Sequence, residues 1–262
     1  MMRDANPTKT PTGDDCYEVV DDEAAMLETT SAGGRATINA FQSLVGSLLW
    51  VARCSRPDIA FAVHKATRQT HAPRMLDWKL AKLVARYLKS TATLKLEMAP
   101  ARTSRDALQL EVYRDAEFAA DKVDRKSLTG GFVLLNGMTV SWTAKKQGGG
   151  NLSTMEVEFV APSEVACELI GLHQMLGEVG MAPVVPMLIH VDNQAAIIQI
   201  ERDASSIKAK HIDVRHKYLR DLARRGIVTA QHVRSEVMIA DLMTKALDAT
   251  KLAALHSLMR LQ

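Results

Sequence analysis

Apolar residues change their spacing once along this chain, and that change limits what it can fold into. Up to Leu88 they recur at helical spacing; from Leu108 they alternate. Ile38, Phe41, Leu44, Val45, Leu48 and Leu49 form the stripe of an amphipathic helix. Ser55-Arg56-Pro57-Asp58 then punctuates the chain, with Pro57 suited to a first helical turn. The spacing predicts a second helix around Ile59, Ala62 and Val63, and a third through Trp78, Leu80, Leu83, Val84, Tyr87 and Leu88. By contrast, Leu108, Leu110 and Val112 alternate with Gln109 and Glu111, the mark of a half-buried strand ending near Tyr113. A helical segment over 37–98 is thus expected to precede a sheet-forming domain over 108–262, with 99–107 as the linker.

The second part reads as an α/β domain. Phe132 to Leu135 and Met138 to Trp142 flank Asn136-Gly137, whose two residues accept the positive φ angles of a tight turn between antiparallel strands. Lys145 to Gly150 form a basic, glycine-rich loop, and Ser153-x-x-Glu156 resembles a capping box opening a helix that runs to about Gly177. Met187 to Val191 is a short apolar run between Pro186 and Asp192, as a buried strand requires. A helix through Ile212, Leu219, Leu222 and Ala223 stops at Gly226, a last strand runs from Ile227 to Val233, and short helices follow from Met238. This order implies a mixed sheet flanked by helices, antiparallel at first and parallel afterwards.

Composition mainly excludes. With 47% hydrophobic and 24% charged residues the chain is ordinary globular material, and no apolar run approaches the roughly 20 residues of a membrane span. Nothing near the first residues resembles a secretory signal. Cys16, Cys54 and Cys167 are odd in number and lack close pairing, which argues against a disulfide framework and for an intracellular setting, cytoplasmic or nuclear. Residues 1–36 are acidic between Asp14 and Glu28 and poor in large apolar groups, so they read as a disordered, solvated tail.

Four acidic residues stand where strands end or helices pass a sheet edge: Asp115, Glu158, Asp192 and Asp241. If the Asp192 strand lies beside the Asp115 strand, both carboxylates leave the sheet at one edge, where Glu158 and Asp241 can join them. Unpaired carboxylates so gathered repel, and a divalent cation relieves the repulsion. Oxygen ligands suit Mg2+ or Mn2+, and two ions about 3.5–4 Å apart are a known arrangement for phosphodiester cleavage. With 30 acidic residues in the chain, the quartet alone is weakly specific.

Longer motifs sharpen it. Tyr113-Arg114-Asp115-Ala116-Glu117-Phe118-Ala119-Ala120-Asp121 resembles the Y-S-D-A-D-W-A-G-D element of copia-type LTR-retrotransposon ribonuclease H, and Asp124-Arg125-Lys126-Ser127-Leu128-Thr129-Gly130 resembles its continuation. Ser141-Trp142-x-x-Lys145-Lys146-Gln147, Leu152-Ser153-Thr154-Met155-Glu156-Val157-Glu158-Phe159, His190-Val191-Asp192-Asn193-Gln194-Ala195, Lys210-His211-Ile212-Asp213-Val214-Arg215 and Ala240-Asp241-Leu242-Met243-Thr244-Lys245 follow in family order. Upstream, Leu44 to Trp50, Ser55 to Val63 and Arg86 to Thr91 are similar to the thumb or connection end of the reverse transcriptase in these polyproteins. The resemblance implies a ribonuclease H-like five-stranded mixed sheet preceded by a small all-α segment. It also implies catalytic, metal-binding carboxylates at Asp115, Glu158, Asp192 and Asp241, two Mg2+ or Mn2+ ions, and an RNA–DNA hybrid as substrate. A separate polymerase portion is an implied partner. Asn151, Ser153, Thr154, Asn193 and Gln194 offer polar groups for 2′-hydroxyls, and His211 and Arg215 lie on a basic segment suited to phosphates.

Departures from the family pattern open a second reading. Pro162 falls four residues after Glu158 inside the expected helix, where it removes a hydrogen bond and kinks the axis. Val20-Asp21-Asp22 lacks the tyrosine of a polymerase Tyr-x-Asp-Asp strand, so no palm is recognised and DNA synthesis is not expected. The alternative to an active nuclease is a nucleic-acid-binding or interaction remnant of such a polyprotein. His211 and His216 are five apart, which does not stack them as zinc ligands. Trp142 and His232 are expected to pack.

Overall fold

Thr37 sets the start of the helical segment. Its hydroxyl accepts from the Ala40 N–H at 3.2 Å, satisfying one of the donors that a helix start leaves open. Helix α1 (Ile38–Cys54) buries Phe41, Val45, Leu48 and Ala52, the stripe expected from the spacing. A 3-10 turn over Pro57–Ile59 leads into α2 (Ala60–Thr67), and α3 (Met75–Ser90) buries Leu80, Ala81, Val84 and Tyr87. This computed structural model describes residues 6–13, 25–29, 36–99, 107–117, 127–146, 167–194, 197–198 and 210–262, with backbone alone at 117 and 210–216.

A buried polar knot joins these helices to the end of the chain. The Arg56 guanidinium donates to both oxygens of Asp58 at 2.9 and 2.7 Å and to the Thr91 carbonyl at 3.0 Å. The Tyr87 hydroxyl donates to Asp58 Oδ2 at 2.7 Å, and His256 Nε2 lies 3.5 Å from the same oxygen. Arg56 also stacks over the Tyr87 ring. Removal from water makes such a knot costly unless every partner is present, and here the geometry is bidentate.

The sheet begins with β1 (Leu110–Glu117), which pairs antiparallel with β2 (Leu128–Leu135), itself paired antiparallel with β3 (Met138–Lys146). Asn136 and Gly137 both have positive φ between β2 and β3, as the hairpin reading requires. Strand β4 (Met187–Val191) lies parallel to β1 on its other side, and β5 (Val228–His232) lies parallel to β4. The strand order is therefore β3-β2-β1-β4-β5, a five-stranded mixed sheet flanked by helices and preceded by a helical segment.

Alternation gives the sheet two packed faces. On one, Leu110, Val112, Val133, Met187, Ile189 and Val191 meet Leu169 of α4, described over 167–178, and Leu219 and Leu222 of α5 (Lys210–Arg224). On the other, Phe132 and Leu134 share a continuous core with α6 (Asp241–Thr244), α7 (Ala249–Leu258) and the helical segment. Trp142 packs against Phe132, as expected, and its indole N–H also donates to the Ala52 carbonyl at 2.7 Å. The side chains on this second face are what position the site below.

Two expectations differ from the structure. Strand β1 does not stop near Tyr113 but continues to Glu117, because β2 keeps pairing with it past the apolar core (Asp115 with Gly130, Glu117 with Leu128). Asp115 is thus inside the strand. The described parts of the acidic N-terminal stretch are also not a free arm. The Leu27 N–H donates to the Pro73 carbonyl, Met75 N–H to the Ala25 carbonyl, and Ser90 Oγ to the Thr8 carbonyl, while Thr12 and Leu27 are buried. Backbone pairing with the ends of α3 supplies what the composition does not reveal. Of the 99–107 linker, only Ala99 and Ala107 are described.

The knot at Asp58 carries a pH dependence. Burial pushes its carboxyl up, but hydrogen bonds from His256, Arg56 and Tyr87 outweigh burial and hold it at about 2, below the ordinary 3.8. A carboxylate depressed in the folded state stabilises fully above its unfolded value and loses that contribution as pH falls toward its folded one. Stability is therefore expected to fall between about pH 4 and pH 2. Asp58→Asn should flatten the curve in that window and cost about 3–5 kcal/mol near neutrality, since it leaves Arg56 buried without its charge partner. Urea unfolding at stepped pH reads both effects, and an unchanged pH slope would remove Asp58 from the account.

Candidate active site at the sheet edge

Parallel pairing of β1 with β4 brings two of the four expected carboxylates together. The register runs from Glu111 opposite Leu188 to Arg114 opposite Val191, so Asp115 and Asp192 each lie one residue beyond the last rung. Both fall on the same face of the sheet by alternation, with Tyr113 and His190, whose rings stack at 4.3 Å. The His232 ring lies 3.1 Å from the Asp192 carbonyl, so its contact is with backbone.

Asp241 arrives from the other side of β1. Helix α6 sits on β2 at Gly130, the residue paired with Asp115. A Cβ at Gly130 would stand 2.7 Å from Met243 Cβ and 2.8 Å from both the Ala240 carbonyl oxygen and Thr244 Cγ2, all closer than atoms approach. Glycine is what lets α6 come near enough for Thr244 Oγ1 to donate to Asp115 Oδ2. Asp241, at the start of α6, is buried.

Two lysines complete the cluster. Lys245 Nζ lies 2.8 Å from Asp241 Oδ1 and 3.2 Å from Asp115 Oδ2, while Lys251 Nζ lies 2.5 Å from Asp241 Oδ2. Burial raises the Asp115 carboxyl above its ordinary value; Lys245 and the Thr244 hydroxyl lower it, and the charges of Asp241 and Asp192 raise it again. Burial works against the Lys245 charge, but Asp115 and Asp241 more than offset it and hold the ammonium protonated.

Carboxylate oxygens are the donor type that a hard divalent cation takes, and Asp115 and Asp241 lie close enough to share the Lys245 ammonium. Among the described residues, no three acidic, His or Cys side chains stand close enough to grip one ion together. The cation between Asp115 and Asp241 is instead Lys245. Glu158 and Pro162 lie outside the described residues, as do Asn151, Ser153 and Thr154. Asn193 and the exposed Gln194 follow Asp192 at the same edge. His211 and Arg215 lie on α5, whose side chains are described only from Lys217. Sequence reasoning missed Gly130, Thr244, Lys245 and Lys251 as site-forming residues. Gly130, Thr244 and Lys245 stand in the motifs and Lys251 does not, but contacts such as that of Thr244 with Asp115, 129 residues apart, are set by the fold.

A mixed sheet in the order β3-β2-β1-β4-β5, with acidic residues one step beyond the β1–β4 ladder, defines a ribonuclease H-like domain. Over 250 residues, 95% of its length, the chain is 30% identical to the Retrovirus-related Pol polyprotein from transposon TNT 1-94 of Nicotiana tabacum. It is likewise 30% identical over 210 residues to the Retrovirus-related Pol polyprotein from transposon RE1 of Arabidopsis thaliana, which covers 80% of this chain. The chain belongs to the copia-type retrotransposon Pol polyproteins. It spans 18% and 14% of the length of those two relatives. It is also 38% identical over 132 residues to the Secreted RxLR effector protein 161 of Plasmopara viticola, covering half of this chain and 90% of that protein. No family model matches. The N-terminal RNase H domain of a Mycobacterium tuberculosis protein superimposes loosely, at 10% identity and a TM-score of 0.35, covering 58% of this chain and 98% of the other; the strand order carries the fold assignment.

The close seat of α6 on β2 is testable apart from any activity. Gly130→Ala is expected to cost about 1–3 kcal/mol, because backbone and Cβ atoms must yield. Denaturant unfolding measures it; a loss below about 0.5 kcal/mol, the range of ordinary surface substitutions, would show that α6 is not held there.

Proposed function

We propose that this chain is the ribonuclease H portion of a retrotransposon reverse transcriptase and cleaves the RNA strand of RNA–DNA hybrids with Mg2+ or Mn2+. The observation that supports this most is the in-register placement of Asp115 and Asp192 one residue past the β1–β4 ladder, with Asp241 joined to Asp115 through Lys245. Asp115 and Asp192 would hold one ion, and Glu158 and Asp241 would complete a two-ion set. Such ions, when bound, activate water and stabilise the leaving oxygen of a phosphodiester.

The remaining work falls to the chain's own groups. Packing from α6 and the hydrogen bond from Thr244 hold the Asp115 carboxylate in one orientation, which preorganises it. Asn193 and Gln194 lie on the exit side of β4, where a minor groove carrying 2′-hydroxyls would pass; Asn151, Ser153 and Thr154, earlier in the sequence than α4, are its further proposed partners. His211 and Arg215 on α5 would meet backbone phosphates, a contact that weakens with salt. The polymerase partner would be the portion of the polyprotein outside this chain.

A second reading, a nucleic-acid-binding remnant without turnover, is favoured by one observation. Lys245 and Lys251 already neutralise Asp241, and Lys245 also pairs with Asp115, so these two carboxylates are charge-balanced by protein alone. A labelled RNA–DNA hybrid separates the two. Cutting is expected with Mg2+ and not with EDTA, and Asp192→Asn should lower the rate by at least the roughly 10²–10³-fold typical of losing one electrostatic contact at a reacting centre. Undiminished cutting by Asp192→Asn would refute the assignment. Hybrid binding without cutting, at matched salt, would select the remnant.

A further inference from the structure

The geometry points to Lys245 as an internal cation that competes with a divalent ion for the Asp115–Asp241 carboxylate pair, so that metal enters this part of the site by displacing an ammonium. The inference rests on the metal-dependent reading above and deepens it. Both oxygens of Asp241 are engaged, one by Lys245 at 2.8 Å and the other by Lys251 at 2.5 Å. Asp115 Oδ2 carries both the Thr244 hydroxyl and the Lys245 ammonium. An ion bridging Asp115 and Asp241 would have to lie beside the Lys245 charge, and like charges in a buried setting repel strongly.

Charge counting points the same way. Two carboxylates, Asp115 and Asp241, face two ammoniums, Lys245 and Lys251, so this part of the cluster is neutral before any metal arrives. A divalent ion added without displacement would leave it doubly positive. Displacing Lys245 removes one of those two charges, the Asp192 carboxylate offsets the other, and a route exists. The Lys245 side chain is 35% exposed, whereas those of Asp115 and Asp241 are 5% and 1% exposed. The lysine can swing into water while the carboxylates stay. Lys245 ends α6, just past its last helical residue, so its side chain can leave without moving the residues that pack on Gly130. Asp192 has no lysine contact among these pairs and is left as the carboxylate through which a first ion engages Asp115.

Lysine occupancy also gives the folded chain a reason to be stable without metal. Neutralising two buried carboxylates internally removes the repulsion that otherwise ties folding of such clusters to ion binding.

The test uses the full chain and Mn2+ alone, read by isothermal titration calorimetry and by thermal unfolding, with no substrate present. Wild type, Lys245→Met, the milder Lys245→Gln, the charge-keeping Lys245→Arg and Asp192→Asn are compared. Without metal, Lys245→Met and Lys245→Gln should melt below wild type. With Mn2+ they should recover more than wild type gains and bind the ion at least about tenfold more tightly. Lys245→Arg should bind like wild type. If Lys245→Met does not fold without metal, Lys245→Gln carries the comparison. Equal Mn2+ affinity in wild type and both neutral variants, lost in Asp192→Asn, would overturn the competition while leaving the metal-dependent reading standing. No Mn2+ binding by any of the proteins would overturn both.

Discussion

Everything at the site depends on the parallel pairing of β1 with β4. That ladder fixes Asp115 and Asp192 one residue past its last rung and on one face, so neither carboxylate can be re-aimed without slipping a strand. Slippage by one residue would also turn Leu110, Val112, Met187 and Ile189 out of a core in which none is exposed. The hydrophobic face therefore enforces the chemistry of the polar one. Gly130 adds the third direction by letting α6 approach β2 where Asp115 crosses it.

The helical segment is bound into the same arrangement. Its core is continuous with the face of the sheet that carries Asp115, and the Arg56–Asp58–Tyr87–His256 knot clamps it to α7. Helix α7 in turn supplies Lys251 to Asp241. A chain of contacts thus runs from the turn before α2 through α7 to the carboxylate cluster.

Much of the fold was legible because its signals are local. Asn136-Gly137 declares a hairpin by backbone chemistry alone, the run Met187 to Val191 declares a buried strand, and Gly226 ends α5 with positive φ as expected. What was not legible depends on partners distant in sequence. The apolar alternation ends β1 near Tyr113 because most residues after it are polar, while pairing with β2 holds them in the strand regardless. The N-terminal acidic stretch reads as solvated, yet its described parts hydrogen-bond at both ends of α3. At the site, three of the four expected carboxylates are described, and their residue types are all that the motifs supply. That two lysines would neutralise Asp241 follows only once α6 and α7 are packed together.

The carboxylate edge shared by β1 and β4 is tested most directly by locating an ion there. Crystals of the full chain soaked in Mn2+ and measured at the manganese absorption edge give that position without any assay of activity. The expected result is an anomalous peak within bonding distance of both Asp115 and Asp192 carboxylates. Ordered Asp115 and Asp192 side chains with no peak between them at saturating Mn2+, or peaks only elsewhere on the surface, would contradict it.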